Sequence, residues 1–269
     1  MGKSTKDQRD PFYRQGKQEG YRARSAFKLL QLDEEFGLFG GKSHALAARL
    51  APSEQALVDL LGPLGSTVHR AIAAPEPRPG YVVDLCAAPG SWSQVLSRSL
   101  SSSGACIVAV DLQAMAPLDG VVQVVGDITT EATAQAVERA FHDAQRGTTA
   151  RQADLVVCDG APDVTGIQAL DEYAQAQLLT AALTMAVRML RPGGTFLAKV
   201  FAHPPDEASR MLVAQLRRLF AHVELVKPSS SRASSAEHFV VCIHYTPTDT
   251  PIATTQTAFL GDLQGYNVH

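Results

Sequence analysis

From residue 81 onward the chain alternates short apolar runs with amphipathic stretches, and this rhythm limits the architectures open to it. Tyr-Val-Val-Asp-Leu over 81–85 reads as a buried strand. A turn at Pro89-Gly90 leads into a helix over 91–100. Strand patterns follow at 106–111, 121–126 and 154–159, with a helix over 130–144. A longer helix over 171–190 is closed by Arg191-Pro192-Gly193-Gly194. Then come a strand at 195–201, a helix over 206–220, and strands at 222–227 and 238–245. Strands that alternate with helices predict an α/β fold, a mostly parallel seven-stranded sheet with helices on both faces. The last two strands lie too close in sequence for a crossover helix, which predicts an antiparallel edge.

The rest of the chain is organised differently. Residues 20–36 carry Phe27, Leu29, Leu30, Leu32 and Phe36 at helical spacing, ending at Gly37. We therefore divide the sequence into a basic arm with a first helix (1–39), an insertion (40–79), a core (80–246) and a Thr- and Pro-rich tail (247–269). The insertion holds Leu46, Leu50, Leu57, Leu60, Leu61 and Leu64 at near-helical spacing. That face either packs on the body or meets a partner protein.

Charge is distributed unevenly. Residues 1–30 hold eight Lys/Arg against three Asp/Glu, whereas the remainder holds 16 against 24. A basic arm on an acidic body points to a localised anionic partner, nucleic acid first among them. Phe12, Tyr13, Tyr21 and Phe27 interleave the charges and favour an arm that docks rather than one that is merely solvated. No run approaches the length of a membrane span. The four cysteines, Cys86, Cys106, Cys158 and Cys242, form no C-x-x-C pair and lie in strand-like runs. They read as reduced residues of a cytoplasmic protein. The histidines show no metal-ligand spacing, so no metal is expected.

Four ionisable residues stand out: Lys28, Asp159, Lys199 and Glu237. The last three mark the edges of strand-like runs, where charge is rare unless it pairs or performs chemistry. Two lysines and two carboxylates can neutralise one another in one cleft, and such a cluster can bring a lysine toward use as a base. Ligands of open α/β sheets bind beyond the carboxyl ends of the strands. There the first turn, Asp84-Leu-Cys-Ala-Ala-Pro-Gly90-Ser-Trp92, offers one glycine rather than the three of a pyrophosphate loop. It suits a ligand with a single carboxylate. Asp111 ends the second strand, where a carboxylate accepts from a ribose diol, and Asp127 follows the third, where an adenine amino group would lie. Carboxylate, ribose and adenine together describe S-adenosylmethionine better than NAD or ATP.

The turn Asp-Leu-Cys-Ala-Ala-Pro-Gly-Ser-Trp-Ser-Gln and the Lys/Asp/Lys/Glu set resemble the FtsJ-like RNA 2′-O-methyltransferases. Three stretches, 20–36, 111–121 and 158–166, are similar to its eukaryotic tRNA branch. The resemblance covers about 1–39 and 80–245 and implies a Rossmann-like methyltransferase fold. It also implies S-adenosylmethionine-dependent methylation of ribose hydroxyls in the tRNA anticodon loop. Lys199 would then be the general base, assisted by Lys28, Asp159 and Glu237. Gly90, Trp92, Asp111, Asp127 and Asp159 would line the cofactor site. An accessory protein of helical-repeat or WD-repeat type would set nucleotide choice. The chain departs from the family at the 40–79 insertion and at Ala202-His203-Pro204-Pro205, where members commonly carry an arginine-containing loop. Ribosomal RNA is the alternative substrate, and a catalytically idle RNA-binding module the alternative class.

Overall fold

A computed structural model describes residues 11–40, 59, 77–144, 152–162 and 165–247. Two helices come first, α1 (Pro11–Gln18) and α2 (Ala26–Phe36). Then follow β1 (Tyr81–Leu85), α3 (Ser91–Leu100), β2 (Cys106–Asp111), β3 (Val121–Val125), α4 (Glu131–Asp143) and β4 (Ala153–Cys158). The chain continues through α5 (Gln168–Met189), β5 (Leu190–Phe201), α6 (Glu207–Leu216), β6 (Phe220–Val226) and β7 (Glu237–Tyr245). The strands form one sheet in the order β3-β2-β1-β4-β5-β7-β6. All neighbours are parallel except β7, which runs antiparallel to both β5 and β6. The expected mostly parallel seven-stranded sheet with one antiparallel edge is what the chain forms.

Alternation along the strands splits the core into two layers. Val83, Leu85, Val108, Val110, Val156 and Phe196 pack with α4, α5 and α6 on one face. Val82, Ile107, Leu155, Val157, Leu197, Phe239 and Val241 pack with α2 and α3 on the other. Helix α2 stops where the sequence predicts. Gly37 adopts φ 66°, its N–H donates to the Asp33 carbonyl at 2.7 Å, and the Asp33 carboxylate accepts from Phe39 N. A left-handed residue after the last turn satisfies carbonyls that the helix leaves open.

Three local expectations change. The arm contains a helix, α1, that charge and aromatic spacing do not announce. It is held by Phe12 against Phe27, ring centroids 5.6 Å apart, and by the buried Gly16. The helix expected over 20–36 begins only at Ala26. Residues 19–22 are captured instead by α3: Arg98 donates to the Glu19 carbonyl, Gln94 to the Gly20 carbonyl, and Arg22 N to Gln94. Third, Arg191-Pro192-Gly193-Gly194 does not precede the fifth strand but bulges within it. Ala153 pairs with Leu190 and Leu155 with Thr195, so the intervening residues of β5 leave the ladder. Gly193 takes φ 78° there. The bulge is anchored by Arg191 on Asp154, whose other oxygen accepts from Gly80 N and Tyr81 N.

Nearly all of the expected insertion and tail, and arm residues 1–10, lie outside the described residues. No helix among the described residues is long and apolar enough to cross a membrane.

Candidate active site

The strands that supply the α2/α3 face change character at their carboxyl ends. On β1 the stripe runs Val82 to Asp84, on β4 Leu155 and Val157 to Asp159, and on β5 Leu197 to Lys199. Strand β7 runs the other way, so its start lies at the same edge: Glu237 pairs with Phe201, and Phe239 with Lys199. Period-two alternation therefore sends Asp159, Lys199 and Glu237 to one face, beneath α2. Helix α2 contributes Lys28 from a buried position flanked by Phe27 and Leu29.

The four residues form two ion pairs. Lys28 Nζ donates to Glu237 Oε2 at 2.6 Å. Lys199 Nζ donates to the Asp159 carbonyl at 2.6 Å and lies 3.2 Å from Asp159 Oδ1. Both lysines are only 8% exposed. Burial opposes ionisation of Glu237, but the Lys28 charge and hydrogen bond outweigh it. With help from Ser231 and Lys199, they hold its carboxyl below the usual glutamate range. Lys28 Nζ also sits 5.8 Å from the Phe239 ring centroid, so the ammonium rests on an aromatic floor.

Several supporting residues were not singled out from the sequence. Ser231 Oγ donates to Glu237 Oε1 at 2.8 Å. The serine-rich segment that carries it is folded by Lys227, which donates to the Ala233 and Ser235 carbonyls. It is fastened to the α2 region by Arg24, which donates to the Ser230 carbonyl, and by Gln31, which accepts from Ser230 N. Gln175 of α5 donates to the Lys199 carbonyl at 2.9 Å and fixes the backbone behind the central lysine. Polar residues spaced irregularly along a loop carry no periodic signal, and their partners lie far away in the chain.

The β1–α3 turn lies beside this cluster. Its base is Asp84, 1% exposed, whose Oδ2 accepts from Ser93 Oγ at 2.5 Å. Burial pushes its carboxyl up to about 7 against the Ser93 bond, with Asp159 and Asp111 adding repulsion. Gly90 needs its glycine. At φ 101° a Cβ would come within 2.5 Å of Arg22 and 3.0 Å of Met115. Asp111 Oδ2 accepts from Ala88 N and Oδ1 from Gln113 N, so this carboxylate braces the turn and each oxygen retains capacity for a further bond. Beside the turn the buried Ser91 Oγ makes no hydrogen bond, and the buried Asp159 Oδ1 has only its ion contact with Lys199. That donor and acceptor set fits a small polar ligand at the helix N-terminus.

Two of the residues read as lining the cofactor site also make structural contacts. The Trp92 side chain is 2% exposed, stacks on Phe239 at 5.7 Å and donates its indole N–H to the Ser25 carbonyl. It joins α3 to α2 in the core, and its large apolar ring explains why packing claims it. Asp127 is exposed, and its Oδ1 accepts from both Thr129 N and Thr129 Oγ1. Those bonds hold its carboxyl below the usual range and close a turn into α4, leaving Oδ2 for a ligand. Among the described residues no group of His, Cys, Asp or Glu is placed to hold a metal ion.

Residues 21–245, from the α2 approach to the end of β7, match the FtsJ-like methyltransferase family. The chain belongs to this family. It is 48% identical over 248 residues to a human tRNA (cytidine(32)/guanosine(34)-2′-O)-methyltransferase, covering 92% of this chain and 61% of that protein. It thus spans about three fifths of that relative. A ribosomal RNA large subunit methyltransferase E from Methanothrix thermoacetophila is 36% identical, over 88% of this chain and 72% of its own length. In the solved structure of a ribosomal RNA methyltransferase from Plasmodium falciparum the same fold recurs. Its TM-score is 0.61 at 18% identity, covering 85% of this chain and all of that one.

Asp111→Ala is expected to weaken binding of S-adenosylhomocysteine roughly ten- to a hundredfold, since a charged hydrogen bond contributes roughly 1.5–3 kcal/mol. The variant also releases Ala88 N, which strengthens the effect. Calorimetry checks this, and unchanged affinity would reduce Asp111 to a brace of the turn.

Proposed function

We propose that the chain transfers a methyl group from S-adenosylmethionine to ribose 2′-hydroxyls of tRNA, with nucleotides 32 and 34 as targets. One observation carries the reading. A buried Lys199, paired with Asp159, sits at the carboxyl edge of the sheet beside the β1–α3 turn, within a chain of this family. The identity to the human tRNA enzyme supports the substrate. The similarity to the archaeal enzyme favours ribosomal RNA as the second reading. An accessory protein that selects the nucleotide belongs to the same proposal and rests on the resemblance alone.

The donor supplies a methyl carbon that is already electrophilic on its sulfonium. The protein's part is to hold, align and deprotonate. Gly90, Ser91, Asp111 and Asp159 line the donor cleft, with Asp127 at its rim. After releasing its own proton to solvent, a neutral Lys199 Nζ would take the proton of the ribose hydroxyl as that oxygen bonds to the methyl carbon and the sulfonium sulfur leaves with the S–C electron pair. Asp159 receives the ammonium that results, through the contacts already in place at 2.6 and 3.2 Å. The Lys28–Glu237 pair keeps a second positive charge beside Lys199 and confines it with a carboxylate. Fixed geometry of this kind can supply roughly 7–11 kcal/mol of a barrier. Ribose-methylation mapping of tRNA in cells with and without the protein tests the substrate. Loss of methylation on ribosomal RNA alone would favour the second reading.

The arm is the candidate RNA contact. Arg14 and Lys17 are exposed on α1. Removing residues 1–19 deletes Lys3, Lys6, Arg9, Arg14 and Lys17. The truncated protein is expected to bind tRNA more weakly, and each lost phosphate contact flattens the log–log salt slope by about 0.7–0.9. Affinity for S-adenosylhomocysteine should persist. Binding titrations between low and moderate salt measure both, and a slope equal to that of the full chain would make the arm a bystander.

A further inference from the structure

We infer that Arg22 is a positioning residue for the donor cleft, locking the β1–α3 turn to the segment between β2 and β3. The inference rests on the donor site described under the proposed function and adds a residue to it. Arg22 NH1 donates to the Pro89 carbonyl at 2.8 Å. Its NH2 donates to the carbonyls of Ala116 at 2.9 Å and Pro117 at 3.0 Å. One guanidinium therefore joins two segments that share no strand register at this point. Asp111 makes a second tie between them, since its carboxylate accepts from Ala88 N. The donor cleft is thus braced by an anion on one tie and a cation on the other.

The placement of Arg22 is itself engineered by α3. Gln94 accepts from Arg22 N and donates to the Gly20 carbonyl, while Arg98 stacks on Tyr21 at 4.5 Å and donates to the Glu19 carbonyl. Gly90 completes the fit, because any Cβ there would lie 2.5 Å from Arg22 NH1. Three carbonyls from two segments suit a planar fork of donors and not a single ammonium. With its donors committed to these carbonyls, the side chain is occupied within the protein, which sets it apart from an arm residue held free for phosphate. The carbonyls belong to residues outside both core layers. Their release loosens the cleft and leaves the sheet intact.

The test uses the full chain with Arg22→Ala and Arg22→Lys. Calorimetry with S-adenosylhomocysteine is expected to show about tenfold weaker binding for both. The ligand-free melting temperature should stay at the wild-type value. In methyl-transfer assays the donor KM should rise while kcat at saturating donor holds, and added guanidinium ion should restore donor binding to Arg22→Ala. Wild-type affinity in Arg22→Ala overturns the inference and leaves the donor site standing. A parallel fall in melting temperature and affinity, with Arg22→Lys restoring both, overturns it in favour of a merely structural role. Failure of the wild-type chain to bind S-adenosylhomocysteine overturns the donor site and this inference together.

Discussion

Lys199→Ala is expected to lower the turnover of methyl transfer by about three orders of magnitude, within the range that a positioned base contributes. Affinity for S-adenosylhomocysteine should remain near wild type. The separation follows from the geometry. Lys199 Nζ contacts Asp159 through its carbonyl and carboxylate, whereas the turn that faces the donor is held by Asp84, Asp111 and Ser93. A group that acts in the transition state lowers kcat, while one that only binds substrate raises KM. Removing Lys199 also leaves Asp159 without its cation, so the variant's stability is measured alongside. Single-turnover rates with bound tRNA at neutral pH decide the matter. Near-normal turnover would mean that another group takes the proton.

The second large effect concerns Asp84. Burial raises its carboxyl to about 7 in the folded chain, from 3.8 when unfolded. The folded state therefore holds a proton that the unfolded state has already released. Stability from this group is fully present below pH 3.8, declines as pH rises, and is gone above about 7. Asp84→Asn keeps an oxygen to accept from Ser93 but cannot ionise. Relative to wild type, it is expected to be stabilised by about 3 kcal/mol more at pH 8 than at pH 5, at 1.36 kcal/mol per pH unit. Urea denaturation of the ligand-free proteins at both pH values measures the difference. Curves that shift equally with pH would show that Asp84 is ionised throughout and is stabilised by groups other than Ser93.

How much of this site could be read beforehand varies residue by residue. Asp159, Lys199 and Glu237 were visible because each charge interrupts an apolar run at a strand edge, where an unpaired charge would be costly. Lys28 stands out by its place in the Arg-Ala-Arg-Ser-Ala-Phe-Lys motif over 22–28 and not by periodicity, since one lysine in a helix is ordinary. Asp111 and Gly90 stand at strand ends, where such sheets bind ligands, and the fold joins their two segments through the Ala88 N–H. Trp92 stands on the same turn, and only the fold shows where its side chain packs. Its motif is that of a cofactor turn, but its side chain is core, joined to Phe239 and to the Ser25 carbonyl. Arg22 and Ser231 gave no signal, because their roles depend on carbonyls or carboxylates brought near only by folding.

The sequence by itself determined most of the elements of the core and their faces. Strand alternation placed apolar residues in two layers, glycine ended α2, and charges at strand ends marked one edge of the sheet. It also established the mostly parallel sheet, since strands separated by helices must cross over in one direction. Only the tertiary structure decided which charges meet. Lys28 and Glu237 are 209 residues apart, and nothing local pairs them. They come together because α2 lies across the sheet face where β4 and β5 end and the reversed β7 begins, and because Ser231 and Arg24 hold the intervening loop. Periodicity reports which way a side chain points relative to its own element. What it meets there is settled by packing between elements, and the energy of that packing appears only when the whole sheet is assembled.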